Sequence, residues 1–241
     1  MAEMMSATAL RDWLNRLAST RVVIAPVTEG RTFFRPVDGP DQIDFEYAQS
    51  TIPPKEWFFP RTDPLFAFDA SRTEIELPRW TGQRVIFGIR PCDARALSIL
   101  DRLFLAEPAD GLWETRRRET ALIGLACSRQ QLAECFCTSL GGGPRDESSV
   151  DVLLSKTEDG YAALVVTERG QALLDGARLG GQVVMPPAPE IRVRVPAEEA
   201  RERILATFDS DYWERLAERC LGCRMCSFLC PTCHCFDVRD Y

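Results

Sequence analysis

Six of the chain's ten cysteines fall between residues 220 and 235. Four of them form Cys220-Leu-Gly-Cys223-Arg-Met-Cys226-Ser-Phe-Leu-Cys230-Pro231, the spacing C-x2-C-x2-C-x3-C-P. That spacing is an iron–sulfur ligand run. Three thiolates wrap one cubane, and the fourth, turned by proline, points toward a second. Gly222 suits the tight turn between the first two ligands. A structural zinc site is the competing reading, but zinc sites usually pair two separated Cys or Cys/His doublets. Cys220, Cys223, Cys226 and Cys230 are therefore the candidate metal ligands. Cys233 and Cys235 read either as extra ligands or as spectator thiols, and His234 between them reads as a hydrogen-bonded neighbour.

The composition narrows the alternatives. His234 is the only histidine among 241 residues, which disfavours histidine-rich metal sites and Ser-His-Asp or Cys-His catalysis. A net charge of −7 disfavours nucleic acid as a partner. The 27 arginines against two lysines, Lys55 and Lys156, read as genome composition. No window reaches the roughly 18 apolar residues of a membrane span. Residues 1–17 carry no uninterrupted apolar core of a signal peptide. The expected location is cytoplasmic, where cysteines serve as metal ligands or catalytic thiols rather than disulfides.

Periodicity outlines the rest. Leu10, Trp13, Leu14 and Leu17 at helical spacing predict an amphipathic N-terminal helix with Ser6 as a cap. Residues 21–25 read as a strand, and 31–82, rich in proline and aromatics, as short strands and loops. The apolar runs 84–89 and 121–126 read as strands covered on both faces. Between them, a helix over 93–104 turns Leu97, Leu100, Leu103 and Phe104 to one side. Strand, helix, strand predicts a parallel unit. Residues 150–154 and 161–167 flank a Glu158-Asp-Gly160 turn as a hairpin, and 171–177 read as a short helix. Residues 185–196, with four prolines, read as the linker. Two short helices, 197–208 and 211–219, share Ile204, Leu205, Phe208, Trp213 and Leu216 as an apolar face. The expected architecture is an α/β (α+β) domain with a partly parallel sheet over 1–188. A small helical ferredoxin-type 4Fe-4S domain begins over 197–241.

The remaining cysteines fall in the first domain. Cys92 and Cys127 each follow a buried strand, so parallel strands would release both at the C-terminal edge of the sheet, where α/β proteins place ligands. Cys135 and Cys137 lie in the next loop, and the Gly141–Gly143 loop reads either as a source of backbone N–H groups for the same place or as a plain turn. The four thiols read as a further cluster site. The alternative is that Cys92 and Cys127 are small buried hydrophobes. Three other features have plain readings beside sharper ones: Arg116-Arg-Arg118 as a solvated turn rather than a docking patch for an acidic partner, Asp93 as a helix cap rather than a catalytic group, and Lys55 as a surface lysine rather than an anion binder.

These segments together resemble a known family. Gly88-Ile-Arg-Pro-Cys-Asp-Ala-Arg-Ala-Leu97, Cys127, Cys135-Phe-Cys-Thr-Ser-Leu-Gly141 and the run from Cys220 to Asp237 are similar to the iron–sulfur beta subunit of cytoplasmic sulfhydrogenases. They are similar also to the corresponding iron–sulfur subunit of anaerobic sulfite reductase and to dicluster proteins found beside heterodisulfide-reductase-like subunits. Lys55-Glu-Trp-Phe-Phe-Pro60 fits the same pattern. The resemblance implies two [4Fe–4S] clusters in a helical C-terminal domain. It also implies a role passing electrons between a flavin- and NAD(P)-binding subunit and a catalytic hydrogenase, sulfite reductase or heterodisulfide-reductase-like subunit. Family members continue into a second cysteine run, so this chain reads as C-terminally truncated.

Three functions follow from these residues. The first is an electron relay, with no catalytic residue of its own and with a third cluster where Cys92, Cys127, Cys135 and Cys137 bind one. The second is a catalytic reductase acting on a small sulfur substrate at those four cysteines. The third is a zinc-stabilised interaction module.

Overall fold

A computed structural model describes residues 1–68, 75–76, 82–192 and 195–239. In chain order the strands and helices are β1 (Ala2–Ser6), α1 (Ala7–Thr20), β2 (Val22–Glu29), β3 (Arg31–Val37), β4 (Ala67–Phe68), β5 (Ile75–Glu76), β6 (Arg84–Ile89), α2 (Pro91–Phe104), α3 (Gly111–Glu119), β7 (Thr120–Leu125), β8 (Val152–Lys156), β9 (Gly160–Val165), α4 (Glu168–Leu174), β10 (Gln182–Val183), α5 (Ala197–Ala206), α6 (Tyr212–Ala217) and α7 (Met225–Leu229).

Eight strands form one mixed sheet in the order β10-β1-β9-β8-β7-β6-β2-β3. Its centre, β2-β6-β7-β8, is parallel. The hairpin partners β3 and β9, and then β1 and β10, are added antiparallel on the two sides. The central strands are buried nearly end to end, β7 along all six residues. This is the continuous apolar run that strands covered on both faces require. The chain crosses the sheet in one direction through α1 and in the other through α2 and α3. The right-handed crossover rule therefore puts α1 and α2 on opposite faces.

Helix α1 buries Ala9, Leu10, Trp13, Leu14 and Leu17. Ser6 caps it, its Oγ accepting from the Ala9 N–H at 3.1 Å. Trp13 Nε1 donates to Leu173 O at 2.8 Å, tying α1 to α4. On the α2–α3 side, Trp113 stacks on Phe104 at 4.7 Å and its Nε1 donates to Asp101.

Several expectations need correction. Residues 2–6 form a strand, because Met4 and Met5 pair with β9 before the helix begins. Helix α2 starts at Pro91 with Arg90 at its N-cap, so Asp93 lies inside the first turn and caps nothing. Leu103 is exposed, while Leu97 and Leu100 are buried. Helix α4 lies three residues earlier than the spacing predicted. Residues 185–192 have no helix or strand, yet Ile191 is buried and its carbonyl accepts from Thr138 Oγ1. Helices α5, α6 and α7 bury none of their residues, so the apolar face of 197–219 lies open.

Candidate metal centres

The first centre stands on the ends of β6 and β7. Gly88 breaks the register between Phe87 and Ile89 with φ +82°, a left-handed value, and a Cβ there would meet Pro26 at 3.2 Å. The bulge re-aims the strand end, as bulges beside functional sites do. Arg90 follows and is buried at 5% exposure. Its guanidinium donates to the Leu125 and Tyr47 carbonyls and lies 4.3 Å from the Tyr47 ring centroid. The Tyr47 hydroxyl in turn donates to Gly88 O at 2.7 Å.

Cys92 then opens α2, and Cys127 leaves β7, its N–H donating to Pro144 O at 2.9 Å. Arg95 of α2 staples the following loop. It donates to Leu140 O and Gly141 O, both at 3.0 Å, and pairs with Asp146 at 3.0 Å. Cys92 thereby comes within electrostatic reach of Cys127 and Cys137, and Cys127 within reach of Cys135 and Cys137. The structure thus brings the four thiols to one sheet edge. Leu132 N–H already points at Cys135 Sγ, at 3.4 Å. The glycine loop contributes less than expected. The N–H groups of Gly141 and Gly142 close the turn on Thr138 O and Cys137 O, so they face no ligand.

Burial raises the pKa of three of these thiols, Cys92, Cys127 and Cys137. Burial pushes Cys92 well above the usual thiol range, although part of the residue is solvent-accessible, and Asp93, Cys127 and Cys137 add to the shift. Burial also raises Cys127, against the opposing charge of Arg90, and Cys137. Asp93 is itself lifted to about 6 by burial, again opposed by Arg90. Arg90 is the group here that sequence reasoning missed. Its signal was an arginine directly after a fully apolar strand, a place where a charged side chain needs partners.

The second centre is the C-terminal run. Gly222 and Arg224 both have left-handed φ, +65° and 56°, which coils the chain between Cys220 and Cys226. At Gly222 a Cβ would meet nothing within 4 Å, so glycine serves the backbone turn rather than space. Its N–H points at Cys220 Sγ at 3.4 Å. Cys233 is held below its ordinary value, first by the Cys235 backbone N–H, then by the Cys235 and Ser227 side chains and the Lys55 charge. Cys235 is raised by that same pairing. His234 Nδ1 lies 3.4 Å from Thr232 O.

Two residues given plain readings prove buried. Arg116 is 4% exposed and grips Asp63 through both terminal nitrogens, at 2.6 and 2.7 Å, with Phe58 O as a further acceptor. Lys55, also 4% exposed, donates to Ser227 O, Cys230 O and Cys233 O at 3.0, 2.8 and 2.9 Å.

All ten cysteines are free thiols. Among the described residues, no three Cys, His, Asp or Glu side chains stand at ligating distance from one another. The donor chemistry nevertheless fits an iron–sulfur group: soft thiolates, a left-handed turn and N–H groups aimed at sulfur. Among the described residues no helix is long and apolar enough to cross a membrane.

A cysteine-rich α/β body followed by a thiolate run is an arrangement this chain shares, over nearly its whole length, with a sulfhydrogenase beta subunit to which it is similar. The chain is 29% identical over 243 residues to sulfhydrogenase 2 subunit beta of Pyrococcus furiosus, an alignment covering 95% of this chain and 71% of that one. No protein-family model matches the chain, and no solved structure does.

Proposed function

We propose that the chain is the iron–sulfur electron-transfer subunit of a multi-subunit oxidoreductase of the hydrogenase kind. It works between a flavin- and NAD(P)-binding subunit and a catalytic hydrogenase, sulfite reductase or heterodisulfide-reductase-like subunit. The observation that carries this reading is the Cys220–Cys230 run, whose spacing and left-handed turns suit thiolate ligation of iron. The likeness to a sulfhydrogenase beta subunit supports it over nearly the whole chain. Cys220, Cys223, Cys226 and Cys230 would hold [4Fe–4S] clusters, with Cys233 or Cys235 able to complete a ligand set. Cys92, Cys127, Cys135 and Cys137 would hold a further one. A cluster so held takes and gives up single electrons.

The chain's own residues set the conditions for that transfer. Backbone N–H groups at Gly222 and Leu132 point at sulfur, which favours the reduced, more negative state. Arg90 places a buried positive charge beside Cys127. Arg95 holds the Cys137 loop against α2.

The test is oxygen-free purification with iron and sulfide quantitation and EPR. About four irons are expected per cubane. Cys223→Ser and Cys127→Ser are expected to remove iron independently of each other. A colourless zinc protein would overturn the reading, and turnover of a sulfur substrate without partner subunits would replace it with a catalytic one.

A further inference from the structure

Lys55 is one of only two lysines in a chain with 27 arginines, and it lies where the N-terminal body meets the C-terminal cysteine run. Pro53 and Pro54 fix the 3-10 turn Pro54–Trp57 that presents it. Its ammonium has three N–H donors, and all three find carbonyls of the C-terminal segment, 172 to 178 residues away. Those carbonyls lie at and just beyond the end of α7, where unsatisfied acceptors and the helix dipole both favour a cation. An arginine is a planar fork and does not match a three-carbonyl cup, whereas a lysine's three donors do.

The contact has two companions. Phe59 meets Phe236 edge to face at 6.4 Å, and Arg61 lies 5.1 Å from the Phe228 ring centroid. One stretch, 55–61, therefore grips one stretch, 227–236, at three places. Among the described residues, the ionisable groups whose fields reach Lys55 are the thiols of Cys233, Cys230 and Cys235. A buried ammonium without an opposite charge is costly, and an anionic metal–thiolate centre would supply that charge.

We propose that Lys55 is a positioning residue that seats the 227–235 stretch on the N-terminal body and supplies the positive charge facing a metal–thiolate centre held there. The charge half rests on the function proposed above; the seating half does not. Net charge near an iron–sulfur centre is one of the terms that set its potential, so removing this cation makes the centre harder to reduce.

The experiment compares the full chain with K55M, K55Q and K55R, all prepared without oxygen. Amide hydrogen exchange over 225–236 reads the seat, and an EPR-monitored redox titration reads the charge. K55M is expected to speed exchange over 225–236 at least tenfold while β6 and β7 stay protected. K55Q is expected to shift the midpoint potential to more negative values, and K55R to keep it near wild type. Unchanged exchange in K55M overturns the seat. An unchanged or more positive potential in K55Q overturns the charge role. Loss of protection throughout the sheet in both neutral variants would make Lys55 a general fold residue and also overturn the proposal. Iron-free wild-type protein would sink the proposed function instead, and the exchange comparison would still decide the seat.

Discussion

The two cysteine-bearing regions are built on opposite plans. Cys92 and Cys127 hang from β6 and β7, strands whose residues are almost all buried, and Arg95 and Arg90 fix the loops around them. Cys220 to Cys235 sit on a segment whose helices bury no residue and whose hold on the body passes through Lys55, Phe59 and Arg61. In the first region the hydrophobic core pays for the arrangement before any metal arrives. In the second, Lys55, Phe59 and Arg61 tether a segment that has no buried residue in its helices, and a metal bound by its thiols would add order as in small metal-dependent domains. The difference appears in the thiols themselves. Those of Cys92, Cys127 and Cys137 are all pushed up by burial, whereas in the second region hydrogen bonding between neighbours pulls Cys233 down and pushes Cys235 up.

The sharpest way to break this comparison is to damage the body. Trp13→Ala removes a fully buried side chain and its bond to Leu173 O. It is expected to cost about 3–5 kcal/mol in denaturant unfolding of the metal-free chain. Arg116→Ala leaves Asp63 without its bidentate partner and empties a buried site. Because Asp63 keeps some solvent, the expected loss is about 2–3 kcal/mol, below that of a fully buried pair. Arg118→Ala next door, on a 62% exposed side chain, is expected to stay within about 0.5 kcal/mol.

Thiol chemistry gives a smaller effect of the same kind. With Cys92 raised and Cys233 lowered, the Cys233 thiolate forms at lower pH. Alkylation of the metal-free chain at pH 7, followed by peptide mass spectrometry, is expected to mark Cys233 at least about tenfold faster than Cys92. Raising the pH should narrow that gap as Cys92 begins to ionise. At the small end, Leu221→Ala, on a side chain 93% exposed, should leave metal-free stability within about 0.5 kcal/mol. A larger loss would mean the C-terminal run carries a core of its own.

Much of the scaffold was legible in the residues. The run 84–89 and the hairpin around Glu158–Gly160 appear where apolar blocks and turn chemistry put them. Strand β1 was not legible, because five residues leading into a strongly periodic helix carry too few alternations to register as period two. Buried charges were the larger gap. Lys55 and Arg116 sit in polar or aromatic surroundings along the chain, and nothing local says that their partners lie in other segments. The cysteine spacing announced ligation chemistry, but the meeting of Cys92, Cys127, Cys135 and Cys137 depends on which strands lie side by side, which spacing alone does not encode.

Strand β1 has a consequence for anyone handling this polypeptide. Residues 3–6 pair with β9 on one side, and residues 2–3 pair with β10 on the other. Trimming residues 2–6 would leave β9 paired only with β8 and expose its outer row of amides and carbonyls, ready to recruit a strand from another molecule. The opening residues act as a selvedge: cut them, and the fabric is expected to fray into aggregates.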